Sequence, residues 1–192
     1  MSGAETRERI LQAACRLFSA GGYDGTSTRQ VGAAAGANIG TIAYHFGDKE
    51  GLYHATLGRM YERVLALEVP DDLDGDVEAR IRAVAERVWR HCRAEPEAVR
   101  LLLRHVVEYG SLPRPVNAQW SPIVLQRALQ LDQALRVGNL ASRRLHLLSL
   151  NHLVGRYAIA DPETLEAFCD GEDPDDVIAR HLGDIAVLLL TR

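Results

Sequence analysis

Lysine is almost absent from this 192-residue chain: Lys49 is the only one, and arginine supplies the other basic side chains. Aromatic residues are also scarce, at 6% of the chain. The segment GTIAYHFGDKEGLY (40–53) nevertheless combines that lysine with two tyrosines, a phenylalanine and a histidine. This local concentration makes residues 40–53 the first candidate for a functional site.

Long apolar runs are missing as well. No segment approaches the roughly 18 consecutive apolar residues that a transmembrane helix needs, so we expect no membrane span. The N-terminal stretch MSGAETRERI lacks the apolar core of a signal peptide, and we therefore expect a cytoplasmic protein. Cys15, Cys92 and Cys169 are far apart and form no CxxC pair, which favours three reduced, buried thiols. We expect neither a metal nor a cofactor.

A broad excess of positive charge is also lacking. The net charge is −4; residues 1–64 carry seven cationic and six acidic side chains, and residues 65–192 carry fifteen and twenty. Any nucleic-acid binding must therefore come from a few well-placed groups and not from a basic domain.

Every periodic segment of the sequence is helical, and none alternates with the period of a strand. We predict an all-α protein. The acidic, turn-rich segment VPDDLDGD (69–76) divides it into an N-terminal domain, 1–68, and a C-terminal helical bundle, 69–192.

Capping residues predict the N-terminal helices. The expected starts are Thr6, Ser27 (in an S-x-x-Q capping box), Asn38 and Asp48, and the expected stops are Gly21-Gly22, Gly36, Gly47 and about Leu67. Beyond the linker, residues 110–122 with their three prolines are predicted to be a loop. Helices are expected near 122–137, 141–160 and 162–168, and from about 173 into the apolar run IAVLLL.

The second and third helices, at about 27–46, are joined by AGAN and have the spacing of a helix-turn-helix motif. In that motif the second helix enters the DNA major groove, where small or polar residues face the bases. Ile42 and Phe46 are spaced to face inward, with Ile39 half exposed. The expected outward residues are Asn38, Gly40, Thr41, Ala43, Tyr44 and His45.

Four segments carry a family resemblance: T-R-E-R-I-L-x-A-A-x-x-L-F (6–18), G-Y-x-G-T-S-x-R (22–29), A-x-A-A-G-x-x-x-G-T (33–41, read loosely) and Y-H-F-x-x-K-E-x-L-Y (44–53). Together they resemble the tetracycline-repressor (TetR) family over about residues 6–60. The sequence departs from the family pattern at Gly32, usually alanine, and at Ala43, often aromatic. Glycine at position 32 is expected to loosen its helix slightly.

The resemblance implies a dimeric transcriptional repressor with a small-molecule effector and a palindromic DNA operator. It also implies DNA contacts at the matching positions. Phosphate or base contacts are expected from Thr28, Arg29, Gly40, Thr41, Tyr44, His45 and Lys49, and the outward position of Asn38 adds it to this set.

Lys49 has an independent argument. It opens the fourth helix, where the helix dipole disfavours a cation by about 0.3–1 kcal/mol, while the free amides there attract anions. A phosphate bound to both the free amides and the lysine would explain a cation at this position, although a solvated surface lysine is the simpler alternative. A metal site at His45, Glu50 and His54 is the less favoured interpretation, because an i,i+4 pair explains Glu50 and His54.

The C-terminal part is less informative. Residues expected to be buried polar or aromatic groups within its helical stripes are candidates for an effector pocket, although each is more often an ordinary core or surface residue: Trp89, Arg104, His105, Tyr109, Trp120, Asn151 and Tyr157. The helices near 141–160 and 174–190 are the candidate dimer elements, through Leu145, Leu148, Leu153 and Val154 on the first and Ile178, Leu182, Ile185 and Leu189 on the second. The alternative is that both are internal core.

These features predict a homodimeric, ligand-responsive repressor. Two rivals stay open at this point, a helical adaptor whose motif binds protein and an all-α enzyme. The enzyme is the weaker rival, because the sequence shows no nucleophile–base pairing, paired carboxylates or phosphate-binding glycine loop.

Overall fold

The structure is a computed structural model that describes residues 2–70, 73–137 and 143–191. These residues form ten α helices and no β strand, which confirms the all-α prediction. In chain order they are α1 (Gly3–Gly21), α2 (Thr28–Ala35), α3 (Ile39–Phe46), α4 (Lys49–Leu65), α5 (Val77–Ala94), α6 (Pro96–Tyr109), α7 (Arg114–Leu135), α8 (Arg144–Ala158), α9 (Pro162–Glu166) and α10 (Pro174–Leu190). No helix among them is long and apolar enough to cross a membrane.

Local capping signals determine the N-terminal helix ends. The Ser27–Gln30 capping box opens α2 and Asn38 caps α3, both as predicted. Gly36 ends α2 in the left-handed region, with φ of 61°, as a glycine after a helix commonly does. The start of α1 was predicted too late, at Thr6. Ser2 caps this helix instead, because it forms a capping box with Glu5.

The prediction of a loop over residues 110–122 is wrong for most of its length. Helix α7 begins at Arg114 and continues through Pro122. Pro115 lies in the first turn, where a missing N–H costs no helical hydrogen bond, so it does not prevent the helix. Only Pro122 removes a hydrogen bond within the helix, and this 22-residue helix continues through it.

Residue contacts divide the chain into two units. Unit one contains the residues up to Leu65 together with Glu97–Ser121, and unit two contains Ala66–Pro96 together with the residues from Pro122 onward. The predicted domain division at residues 68–69 stays a prediction, and α6 joins the N-terminal helices in the contact grouping. Asp71 and Asp72 of the predicted linker, and the predicted helix start at 141, lie outside the described residues.

The core of unit one is built on α1. This helix packs against α2 and α4, and α3 packs against α2 and α4 in turn. The buried apolar residues of these helices include Ile10, Leu11 and Phe18 of α1, Val31 of α2, Ile42 of α3, and Leu52 and Leu57 of α4. Phe18, Tyr23 and Tyr53 add an aromatic cluster, with the Phe18 and Tyr53 rings edge to face at 4.9 Å between centroids. Because Ile42 is buried, this core determines which face of α3 points outward.

The core of unit two lies between α5, α8 and α10. Ile81 and Val84 of α5 cluster with Ala186, Val187 and Leu190 of α10. The Trp89 indole N–H donates to the Asp175 carbonyl oxygen at 3.0 Å and links the same two helices. All three cysteines are buried and reduced, and burial raises the pKa of the Cys92 thiol to about 11.

Candidate nucleic-acid interface and ligand cavity

The turn between α2 and α3 depends on a close backbone approach at Gly32. The Ala37 amide donates to the Gly32 carbonyl oxygen at 2.9 Å, and a Cβ at position 32 would lie 2.7 Å from the Ala37 carbonyl oxygen. Glycine therefore lets the turn pack tightly against α2. The expectation that Gly32 loosens its helix slightly stays a prediction.

The outer face of α3 is polar and open. Tyr44 is 84% exposed. Among the large hydrophobic and aromatic residues of unit one, only Val107 is as exposed. Gly40 and Ala43 are exposed, while Thr41 and His45 are half-buried. Ile42 is 1% exposed and Ile39 is 55% exposed, so the inward and outward positions agree with the predicted register.

Asn38 and Thr41 are joined in the N-cap of α3. The Asn38 side-chain oxygen accepts from the Thr41 amide at 2.8 Å and from the Thr41 hydroxyl at 3.0 Å. Both residues are therefore held in place before any ligand arrives. Gly40 fits close beside this cap, since a Cβ there would lie 3.2 Å from the same oxygen.

The predicted cationic contacts lie at helix starts. Thr28 and Arg29 open α2, and Arg29 is exposed. Lys49 is the first residue of α4. Amides at helix N-termini bind anions readily, so both cations lie where phosphate is favoured.

Lys49 also has a partner that the sequence analysis missed. Its Nζ lies 4.2 Å from the centroid of the Tyr23 ring, within the range of a cation–π contact. This contact restrains the ammonium group of the half-buried side chain. The signal in the sequence was the tyrosine of the G-Y pair at 22–23, but nothing in the spacing predicted its contact with residue 49.

His105 connects α6 to α4. Its Nδ1 lies 2.9 Å from the Tyr53 hydroxyl, and its Nε2 lies 3.1 Å from the Ser111 carbonyl oxygen. A carbonyl only accepts, so Nε2 carries the proton and Nδ1 accepts from the Tyr53 hydroxyl. Burial lowers the pKa of His105, outweighing the opposing effect of the Ser111 bond, and the ring is therefore neutral at pH 7.

An open cavity of about 380 Å³ lies beside this pair. Of the predicted effector residues, His105 and Tyr109 line it; the sequence analysis missed the cavity-lining residues Tyr23, Tyr53, Glu50 and His54. Glu50 and His54 form the expected i,i+4 pair, at 3.8 Å between Oε1 and Nε2. Among the described residues no group of three metal-ligating side chains comes together.

The other predicted effector residues do not line this cavity. Arg104 donates to the Ala20 carbonyl oxygen at 3.0 Å and pairs with Glu108, so it ties α6 to the end of α1. Trp120 is buried, and its ring stacks on the Tyr61 ring at 5.9 Å between centroids.

The remaining three candidates lie in unit two. Trp89 is buried in the core and Asn151 is exposed, while the Tyr157 hydroxyl lies 3.5 Å from His181 Nε2. The assumption that Asn151 is buried is wrong, and an effector role for these residues stays a prediction.

A short helix closed by a left-handed glycine, followed by a capped helix with an open polar face, defines a helix-turn-helix protein. Residues 10–56 match the family model described as bacterial regulatory proteins, tetR family. Together with the curated relatives described next, this match supports a TetR-family regulator. It favours a DNA-binding regulator over the enzyme alternative, because regulators of this family are non-enzymatic DNA-binding proteins.

Curated relatives support the assignment. The chain is 32% identical over 106 residues to the HTH-type transcriptional repressor NicS of Pseudomonas putida, covering 55% of this chain and 50% of NicS. It is 29% identical over 172 residues to the HTH-type transcriptional repressor Rv1474c of Mycobacterium tuberculosis, covering 87% of this chain and 90% of that protein. The chain thus aligns with half the length of the first relative and most of the second.

Solved structures show the same fold. A regulatory protein of the tetR family from Rhodococcus RHA1 superimposes with a TM-score of 0.69 at 20% identity, covering 99% of this chain and 98% of that one. The transcriptional regulator SCO4942 of Streptomyces coelicolor gives 0.68 at 22% identity, covering 97% and 99%. These two likenesses confirm the helical architecture along nearly the whole chain.

Proposed function

We propose that the protein is a transcriptional repressor that binds a palindromic operator as a homodimer and leaves it when a small molecule binds. The observation that carries the DNA-binding part is the outer face of α3. It is polar, capped by Asn38 and Thr41, and displays Tyr44 almost fully to solvent. An exposed tyrosine hydroxyl can donate to a phosphate oxygen, which supports DNA as the partner of this face.

The flanking cations give this face its phosphate contacts. Arg29 lies near the N-terminus of α2 and Lys49 at the N-terminus of α4. Tyr44 and His45, which lie between these two cations in the sequence, add a hydroxyl and an imidazole group. Phosphate contacts of this kind set the position of a recognition helix, and base contacts from α3 then read the operator.

A mobility-shift assay on the chain's own upstream DNA tests the proposal. Arg29→Ala and Lys49→Ala are each expected to lower affinity about tenfold or more, and to reduce the salt dependence by about 0.9 per lost phosphate contact. Arg87→Ala, at an exposed arginine on α5, is the matched control and should bind like the wild type.

The same assay separates the rivals. If the folded wild-type protein binds no DNA at low salt, including its upstream region, the repressor proposal fails and the protein-binding adaptor becomes the better account. If it binds DNA but raises transcription of a reporter, DNA binding stands and the assignment as a repressor is overturned.

Dimerisation is supported by exposed apolar residues on α8. Leu145 and Leu148 are 77% and 49% exposed and lie on one side of the helix, three positions apart. A two-fold pair of recognition helices must match half-sites about 34–36 Å apart, or a multiple of that. Three of the predicted interface residues, Val154 of α8 and Ile178 and Leu182 of α10, are instead buried in their own chain. Ile185 and Leu189 of α10 are half-buried and stay candidates.

Effector response is supported by the connection between α4 and α6. The Tyr53–His105 hydrogen bond joins α6 to the helix that carries Lys49 at its start. A ligand that binds one arrangement of these helices better than another shifts the population of DNA-competent molecules. The cytoplasmic location expected from the sequence fits this function and stays a prediction.

A further inference from the structure

The cavity in unit one has an aromatic wall. Four rings follow one another along it, with centroid separations of 4.9 Å from Tyr23 to Tyr53, 5.5 Å from Tyr53 to His105 and 4.8 Å from His105 to Tyr109. The faces of such rings carry negative electrostatic potential and attract cations. At about 380 Å³ the cavity has the size of a small-molecule site.

The titratable groups at this wall supply negative charge. Glu50 lines the cavity, whereas no arginine or lysine does. After burial, the largest causes of the raised pKa of Tyr23 are Glu50, Asp48 and Asp24. Their field extends to the tyrosine at one end of the aromatic wall.

The basic groups nearby already have partners. His54, which also lines the cavity, has its Nε2 at 3.8 Å from Glu50 Oε1. His105 is a neutral ring whose two nitrogens are both hydrogen-bonded. Arg104 is paired with Glu108 at 3.1 Å, and its guanidinium also donates to α1. Lys49 Nζ lies on the Tyr23 ring, which shows that one ring of this wall already attracts an ammonium group.

We propose that this cavity binds an organic cation, a quaternary ammonium or protonated amine attached to an aromatic or apolar group. The tyrosine rings contact the ammonium and its substituents, and the Glu50 carboxylate balances the charge. An anion would find no arginine or lysine among the lining residues, and a neutral apolar molecule would only desolvate Glu50. Binding of an organic cation in this cavity does not depend on the function proposed above. Its role as the effector site does rest on that function.

Calorimetric titration with three probes tests the site. Benzyltrimethylammonium should bind the wild-type protein, whereas its neutral near-isostere 2-methyl-1-phenylpropan-2-ol and the anion phenylacetate should bind at least about fivefold more weakly. Equal binding of the neutral probe, or no binding of the ammonium probe, overturns the proposal.

Two variants locate the bound cation. Glu50→Gln removes the charge and keeps the shape, and Tyr109→Leu removes one ring at a half-exposed position. Each is expected to weaken the ammonium probe about fivefold or more while thermal melting shows a folded protein. Glu78→Gln, an acidic residue in the first turn of α5, is the matched control and should leave probe affinity unchanged. Loss of binding by Tyr157→Leu, with Tyr109→Leu unaffected, would place the site in unit two and overturn the proposal.

A DNA mobility-shift arm separates this inference from the repressor proposal. If the ammonium probe changes the DNA affinity of the wild-type protein and not of Tyr109→Leu, the cavity is an effector site. Probe binding without any change in DNA affinity overturns the effector role and leaves the cation site supported. Failure of the ligand-free protein to bind DNA contradicts the proposed function, whatever the probe does.

Discussion

At the scale of single residues, His105 couples hydrogen bonding to protonation. Its Nε2–H donates to the Ser111 carbonyl oxygen and its Nδ1 accepts from the Tyr53 hydroxyl, so a second proton would displace Tyr53 as a donor. Burial also lowers the pKa of the ring. The folded protein therefore binds a proton at this site less readily than the unfolded chain does.

This difference predicts a loss of stability in acid. Above the unfolded-state pKa of about 6.5 both states are neutral at His105, and the residue adds no pH dependence. As the pH falls from 6.5 toward the lower folded-state value, the unfolded state binds more protons and the free energy of unfolding decreases.

Urea denaturation at pH 7.5, 6.5 and 5.5 measures the effect. His105→Gln keeps a donor and an acceptor but does not titrate, so its free energy of unfolding should decrease less over this range. The difference in slope is at most about 1.4 kcal/mol per pH unit, the value for one proton. Identical slopes in wild type and variant would show that the histidine does not resist protonation.

At the scale of helices and turns, Asn38 serves two roles that can be separated. As the N-cap of α3 it accepts from the Thr41 amide, and as an outward residue it is predicted to lie near DNA. Alanine removes the cap, whereas aspartate keeps a capping oxygen and adds a negative charge.

The two substitutions should therefore have different effects. Asn38→Ala is expected to lower the free energy of unfolding by about 1 kcal/mol. Asn38→Asp should keep stability within about 0.5 kcal/mol of wild type and weaken DNA binding about tenfold, because its carboxylate repels phosphate. Chemical denaturation and mobility shift on the same samples distinguish them. Unchanged DNA affinity in Asn38→Asp would exclude this residue from the interface.

Elements of this kind were predictable because their causes are local. Ser27, Asn38 and Gly36 act on backbone within a few positions of themselves, so the bounds of α2 and α3 followed from the sequence. The course of α7 did not follow, because the positions of its prolines, and not their number, decide whether a helix can form. Proline in the first turn of a helix is compatible with it, and a single internal proline is tolerated within a long one.

Contacts between distant residues were not predictable. Lys49 meets Tyr23 across 26 positions of sequence, and Tyr53 meets His105 across 52. Neither pairing has a spacing that a single sequence reveals. The aromatic cavity depends on both regions meeting, so only two of its lining residues, His105 and Tyr109, were among the candidates for an effector pocket.

At the scale of the whole molecule, the proposed function requires two recognition helices in one complex, since a single α3 would read only half of a palindromic site. Unit two carries exposed large apolar residues on three helices, including Leu125 of α7, Leu145 of α8 and Leu188 of α10. Such residues in one unit favour association of two copies. The two exposed leucines of α8 make that helix the first candidate for the interface.

Leu145→Glu tests this assignment. Its side chain is 77% exposed, so the substitution should leave the free energy of unfolding of the isolated chain nearly unchanged. In a two-fold interface each copy would bury one unpaired carboxylate, and the dimer dissociation constant should rise at least about a hundredfold. Sedimentation equilibrium measures that constant. Val107→Glu, at an apolar position on α6 that is 84% exposed, is the control and should remain dimeric.

The result also decides how dimerisation and DNA binding are linked. A monomeric Leu145→Glu protein holds one half-site at a time, so its operator affinity should decrease steeply while its affinity for a single half-site stays that of the wild type.

If Leu125→Glu dissociates the dimer and Leu145→Glu does not, the interface belongs to α7 and the assignment to α8 is wrong. If neither variant changes a dimeric wild type, the exposed leucines do not form the interface. If the wild type itself sediments as a monomer, two-fold recognition of a palindrome must arise on the DNA.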